Sequence, residues 1–301
     1  MHISRFPHVS RASRASRKPG RPRRTAQAAR WGAALLALSG TTSVLVPMTA
    51  QAGGPAGDPG REKPTIVLLH GAFADASSWN GVVQKLQQNG YTVAAPANPL
   101  RGVAQDSAYL ASFLKSITGP VILVGHSYAG EVISQAAVGN DNVKALVYID
   151  AIMPDKGESQ ATLAAKFAPA PLTKALKPVP FQAGPGSTGT DLYIQPAKLH
   201  QVFAADLPTS QTAVMAATQR PIAMSAFTDK LTGAAWRTKP VYVLVGRQDQ
   251  AVNPALELFE AKRAHARKTV EINSSHVALI SHPQAVKDLI TDAAEDYMWK
   301  K

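Results

Sequence analysis

The sequence predicts an α/β fold, a mostly parallel sheet of about six strands flanked by helices. Three observations predict it. Short apolar runs recur along the chain without polar alternation, as in strands buried on both faces. Segments of helical spacing lie between them, the order that gives right-handed crossovers and a parallel sheet. Gly-rich or polar turns follow several of the runs, where the chain must leave the carboxyl edge of a sheet.

The predicted strands cover 65–69, 92–95, 121–124, 145–149, 241–245 and 269–272, all continuous apolar or β-branched segments. After the first strand, Val82, Val83 and Leu86 follow helical spacing, and after the second, Leu110, Phe113, Leu114 and Ile117 do the same. The long interruption at 151–239 is rich in Ala, Pro and polar residues. Its helical stretches, 197–205 and 210–219, predict a helical cap over the carboxyl edge of the sheet. The Pro-rich piece 169–185 is expected to be a loop within it.

A formal charge of +12 would ordinarily point to nucleic acid or an anionic membrane. Here the charge is local. Residues 1–30 hold nine of the 32 Lys and Arg, and residues 1–52 hold no Asp or Glu, so the remainder sets 23 basic against 20 acidic groups, a net of +3. That balance gives no reason to invoke nucleic acid. After the basic stretch, 31–48 is uncharged and rich in Ala and Leu, and Ala50-Gln51-Ala52 offers an A-x-A site. A basic start, an apolar middle and a small-residue site predict a signal peptide over 1–52, cleaved after Ala52, and an exported mature protein without a stable membrane anchor. Gly40, Thr41, Thr42, Ser43 and Pro47 weaken the competing reading of a transmembrane anchor. Arg23-Arg24 lacks the apolar residue a twin-arginine signal would place next. With no cysteine the protein cannot form disulfides. Residues 53–63 read as a flexible lead-in, and 64–301 as one α/β domain with its cap inserted at about 151–239.

The chemistry begins at Gly125-His126-Ser127-Tyr128-Ala129-Gly130, directly behind the third apolar run. Small residues two before and two after a serine suit a sharp strand-to-helix turn that thrusts the hydroxyl out as a nucleophile. The pattern usually has glycine on both sides; here the second is Ala129. A serine nucleophile needs a base, and the base needs an acid to fix its tautomer. His276 lies just past the last strand in Asn273-Ser274-Ser275-His276, and Asp249 follows the fifth strand in a turn-rich stretch. The order Ser127, Asp249, His276 agrees with a nucleophile-elbow architecture. The rivals are His282, which opens the final helix as a cap or surface residue, and Asp150, which also ends a strand and reads as a structural carboxylate at the root of the cap. His200 and His265 read as surface residues. His70 and His126 read as turn-packing residues.

An oxyanion calls for two backbone N–H donors. Tyr128, at a helix N-terminus, is one. The other comes from His70-Gly71-Ala72-Phe73, with Ala72 preferred over Phe73. Phe73, Trp79 and Tyr128 are candidate pocket residues from their closeness in sequence to these motifs.

Together these motifs resemble the α/β-hydrolase superfamily, and in particular compact bacterial esterase-like members related to plant methylesterases and hydroxynitrile lyases. The resemblance spans about 64–295. Met153-Pro154-Asp155 and Ala204-Ala205-Asp206-Leu207-Pro208 of the cap are similar to segments of those members. It implies a chain that enters at the third superfamily strand, a cap inserted after the sixth, and neither metal nor organic cofactor. The expected activity is hydrolysis of a small to medium carboxylic ester by a Ser-His-Asp triad. The alternatives are a lyase or cofactor-free perhydrolase on the same triad, or a ligand-binding protein that keeps the fold without turnover. No lysine beside the motifs favours a cyanide-releasing lyase, and a serine in place of an aspartate nucleophile argues against dehalogenation.

Overall fold

The computed structural model describes residues 61–299. The expected leader over 1–52 and most of the lead-in lie outside them. No described helix is long and apolar enough to cross a membrane.

In chain order the elements are β1 (Thr65–Leu69), α1 (Asn80–Gln88), β2 (Val93–Ala94), α2 (Val103–Lys115), β3 (Val121–His126), α3 (Ala129–Ala136) and β4 (Val143–Ile149). The insertion follows with α4 (Gln160–Ala164), β5 (Leu176–Gly184), β6 (Ser187–Ile194), α5 (Pro196–Phe203), α6 (Thr209–Thr218) and β7 (Ile222–Ala223). The chain then returns through β8 (Val241–Gly246), α7 (Pro254–Arg263), β9 (Lys268–Ile272), α8 (Ala278–Ser281) and α9 (Pro283–Trp299). Six strands form one sheet in the order β2-β1-β3-β4-β8-β9, and every pairing in it is parallel. All six apolar runs are strands of this sheet.

Burial explains why those runs were readable. Strands β3 and β8 are buried at every position, so neither face calls for polar residues. The helices cover both faces with the spaced residues: Val82 and Leu86 of α1 and Leu110 and Leu114 of α2 are all in the core. Register then fixes where the loops emerge. Leu69 pairs with Gly125, Gly125 with Tyr148, and Gly246 with Ile272. The loops after β1, β3, β4, β8 and β9 therefore leave at one carboxyl edge, the edge where open α/β sheets carry ligands.

The cap differs from the expectation in one respect. It contains helices α5 and α6 near their predicted positions, but the piece expected as a loop, 169–185, is a short 3₁₀ turn at Pro171–Ala175 running into β5. Strands β5, β6 and β7 form a second, antiparallel sheet. Its prolines hid it. Pro178 and Pro180 sit on the edge strand at positions of the same parity, paired with Leu192 and Thr190, and with β6 on only one side an edge strand tolerates imino groups that face outward. Gly186, with φ 70°, makes the hairpin turn.

Candidate active site

Ser127 stands at the junction of β3 and α3 with φ 55°, the left-handed region that a serine rarely enters. The turn is held by backbone bonds: Ser127 N–H donates to Ile149 O at 3.2 Å, and Gly130 N–H to Ser127 O at 2.9 Å. Two glycines make it possible by close approach. A Cβ on Gly125 would lie 2.8 Å from the carbonyl oxygen of Ala129, and one on Gly130 would lie 2.2 Å from that of Ile152. Position 129, buried as alanine, takes a methyl group. The second obligatory glycine of this elbow is thus Gly130.

His276 and Asp249 arrive from the loops after β9 and β8. His276 Nδ1 meets Asp249 Oδ2 at 2.5 Å, and both side chains are buried. The other carboxylate oxygen, Oδ1, accepts from the N–H groups of Ala251 at 2.6 Å and Val252 at 2.9 Å. With Nδ1 engaged, Nε2 is the remaining ring nitrogen. Ser127 and His276 line the same small cavity, together with Ala72, Phe73 and Tyr128. Phe73 N–H donates to the cap carbonyl of Arg220 at 3.0 Å, which removes it as an oxyanion donor. Ala72 and Tyr128, preferred from the sequence, both line the cavity. The Tyr128 phenol is occupied elsewhere: it donates to Asp106 Oδ2 at 2.8 Å, and burial together with Asp106 pushes its ionisation far up.

The rival residues do not line the cavity that holds Ser127. His282 is 40 % exposed and its Nδ1 lies 2.8 Å from Ser281 Oγ. Asp150 accepts from Gly246 N–H at 2.8 Å and Ala278 N–H at 3.1 Å, so it ties the end of β8 to the loop that carries His276. His265 is exposed, and His200 is half-buried against Thr212 Oγ1 at 3.3 Å. His70 accepts through Nε2 from Asn98 N–H at 2.9 Å, which places its proton on Nδ1, toward Gly71 O at 2.9 Å. Burial pulls the His70 imidazole down to about 4, with the bond to Gly71 opposing in part. His126 Nε2 donates to the carbonyl of His276 at 2.8 Å, and burial keeps its ring neutral. Both histidines pack and bond in the turns, as the sequence indicated.

Trp79 is corrected. It is fully buried, meets His126 edge-on at 6.4 Å between centroids, and does not line the cavity. Its 3₁₀ turn after β1 carries the indole inward behind the elbow, which closeness in sequence did not reveal. The residues missed from the sequence belong to the cap and its root: Gln160, Leu172, Phe203 and Phe227 close the cavity. Phe203 stands 5.1 Å from the His276 ring and 6.1 Å from that of Phe73. Asp206 holds the histidine loop, accepting from Ser275 Oγ at 2.5 Å and Ser275 N–H at 3.1 Å. Burial would raise its carboxyl, yet the bonds with Ser275 and Ser281 outweigh that and hold it below the usual range. Its signal in the sequence was the Ala-Ala-Asp-Leu-Pro segment.

Behind Asp249 lies a group of carboxylates no sequence pattern announced. Oxygens of Asp150, Asp249 and Glu257 lie within 4.8 Å of one another, all buried. Burial, and then the charge of Asp249, push Asp150 and Glu257 well above the carboxylate range, so both are held as acids. The donor set does not fit a cation. Both oxygens of Asp150 are engaged by backbone N–H groups, and those of Asp249 by two N–H groups and His276.

A strained serine elbow, a buried His–Asp pair and backbone donors at one sheet edge form a constellation suited to acyl transfer, and the sheet order with its cap after β4 defines an α/β-hydrolase fold. The chain belongs to the alpha/beta hydrolase family, whose model matches residues 66–289. It is similar to the alpha/beta hydrolase nvfD of Aspergillus novofumigatus (strain IBT 16806), 26 % identical over 256 residues, covering 77 % of this chain and 97 % of that protein. It is also similar to a carbendazim hydrolyzing esterase of Nocardioides sp. (strain SG-4G), 31 % identical over 119 residues, 35 % of this chain and 48 % of that one. Among solved structures, polyneuridine aldehyde esterase superposes with a TM-score of 0.67 at 18 % identity, covering 77 % of this chain and 99 % of that one.

Proposed function

We propose that the protein is an exported serine hydrolase that cleaves a small to medium carboxylic ester through an acyl-enzyme. The observation that carries this reading is the placement of Ser127 and His276 on one cavity wall with Asp249 bonded to the far side of the imidazole. Ser127 Oγ attacks the ester carbonyl while His276 Nε2 accepts its proton. Asp249 fixes the tautomer and stabilises the imidazolium. The oxyanion forms against the N–H groups of Ala72 and Tyr128, the latter at the N-terminus of α3, where the helix dipole adds to the donors. His276 then protonates the departing alcohol, and a water activated by the same imidazole releases the acid.

The esterase relatives support this chemistry over the alternatives. No lysine or arginine lines the cavity, which a cyanide-releasing lyase would use. Export rests on the basic, apolar and A-x-A order of residues 1–52.

Mature protein is expected to hydrolyse p-nitrophenyl acetate or butyrate, and Ser127→Ala to lower kcat by roughly 10⁴- to 10⁶-fold without changing the melting temperature by more than a few degrees. Labelling by a fluorophosphonate probe should map to the Ser127 peptide. Activity that survives in Ser127→Ala, or labelling elsewhere, sinks the assignment.

A further inference from the structure

The space beside Ser127 and His276 is narrow, and most of an ester bound there must lie beyond it. A water-sized sphere has only about 10 Å³ there, room for about one water. By the same measure a second cavity offers about 470 Å³, within the range of small-molecule sites. The two share Gln160, Ala251 and Val252 as a common wall.

The second cavity is built to be apolar. Helix α4 is set by a capping box between Ser159 and Thr162 and turns Leu163 inward. Leu163 packs with Ile152, Val252 and Leu256, and with Phe167 beside them, in a small cluster separate from the main core. The opposite side of α4 presents methyl groups where an exposed helix would ordinarily carry charge: Ala161, Ala164 and Ala165 are exposed and line the cavity. Its floor does not drift relative to the chemistry, because the N–H of Val252 is bonded to Asp249 Oδ1. The other cavity bordering the site, reached past Phe73, is different in kind: Asp75, Ser77, Ser78 and Asn80 are on its wall.

We propose that the alanine-walled cavity holds the hydrocarbon arm of the ester, extending from the carbonyl at Ser127 past Gln160 and Val252. This rests on the reading of the site as an ester hydrolase and adds its substrate class, an ester with a straight or cyclic apolar arm of several carbons. The wall shared with the catalytic cavity, the apolar lining and the lack of room beside the serine all point to that occupant.

The test compares kcat/KM over two series, p-nitrophenyl alkanoates from acetate to octanoate and alkyl acetates from methyl to hexyl, which separate an acyl arm from an alcohol arm. In one series kcat/KM should rise roughly fourfold for each added methylene. Ala164→Trp, which fills the cavity, should remove at least tenfold of the gain at the long end of that series. Ala161→Trp is a second variant with the same expectation. An unchanged chain-length profile in both variants, or a flat wild-type profile in both series, overturns the proposal. Calorimetric titration of 1-octanol into Ser127→Ala separates the two readings. Binding that Ala164→Trp abolishes, in a protein that cleaves no ester, keeps the apolar site and removes the hydrolase. Hydrolysis of acetate with no octanol binding and a flat profile does the reverse.

Discussion

The sheet edge and the cap meet at the same cavity and share one apolar core, but differ in how they are joined to the site. Strands β1, β3, β4 and β8 are fixed by apolar burial, and their register alone brings the elbow, the acid loop and the loop after β1 to one level. The cap joins that core through Leu199, Phe203 and Leu207 and is tied to the edge by carboxylates as well. Asp206 grips Ser275 beside His276, and Glu260 of α7 accepts from Met153 N–H at 2.9 Å at the root of the insertion. Arg263 adds a bond to the Met153 carbonyl at 2.7 Å. A site built this way keeps its candidate reactive groups on the sheet frame, under a cover that packs into the same core and is pinned to the histidine loop and the root of the insertion by polar bonds.

The largest effect that could break this comparison lies on the frame. Asp249→Asn should leave the turn at Ala251 and Val252 in place, since an amide oxygen can accept the same bonds, yet it presents His276 with the wrong hydrogen-bond partner. A loss of kcat of about 10⁴-fold is expected. Asp150→Asn is the control: if Asp150 only ties β8 to the histidine loop, its loss should appear mainly in thermal stability. Equal losses of kcat in the two variants would show that Asp249 has no distinct role.

A smaller effect is expected where cap and frame join. Asp206→Ala removes two bonds to Ser275, and a bond to a charged group contributes about 1.5–3 kcal/mol. A fall of 10- to 100-fold in kcat/KM should follow if the cap positions His276 through Ser275. Asp206→Asn should recover part of it, because one amide oxygen still accepts from the Ser275 N–H. An unchanged rate in Asp206→Ala would mean that the cap covers the site without steadying it.

The same division decides what was legible in the sequence. Strands buried on both faces leave continuous apolar runs, and a serine elbow needs small residues at fixed offsets, so Ser127, Asp249 and His276 stood out as candidates from pattern and order. Ala129 looked like a departure only because the close approach that demands glycine, that of Ile152 O, falls one residue later, at Gly130. The cap has helical stretches but no such strand pattern. Prolines on an edge strand look like a loop, and Trp79 looked like a pocket residue because sequence distance says nothing about which way a turn faces. Glu257 and Glu260 sit in Pro-Ala-Leu-Glu-Leu-Phe-Glu, which reads as an ordinary amphipathic helix with solvated acids. Only the packing of α7 against β8 and the cap root buries them.

Those buried acids yield the smallest effect on activity and a definite one on stability. Burial raises Glu260 from its ordinary value to about 8, with the bond from Met153 and the charge of Arg263 opposing. In the unfolded chain it ionises near the usual glutamate value, so between that value and pH 8 the folded state holds a proton that the unfolded state lacks. Stability from this group is therefore fully present at low pH and falls as pH rises to 8, by up to about 1.4 kcal/mol per pH unit. His70 acts in the opposite direction. Its folded value of about 4 lies below the unfolded one, so it lowers stability only as pH falls from about 6.5 toward 4. The two overlap at acid pH and separate above 6.5, where only the carboxyl side remains. The melting temperature of the wild type should fall from pH 6.5 to 8, and Glu260→Gln, whose amide oxygen can still accept from Met153 N–H, should reduce that slope and melt higher at pH 8. Activity at pH 7 should stay within about twofold, since Glu260 holds the cap root and not the histidine loop. Equal slopes in the two proteins would mean that Glu260 is ionised in the folded state and that the cap root is bound by a charge.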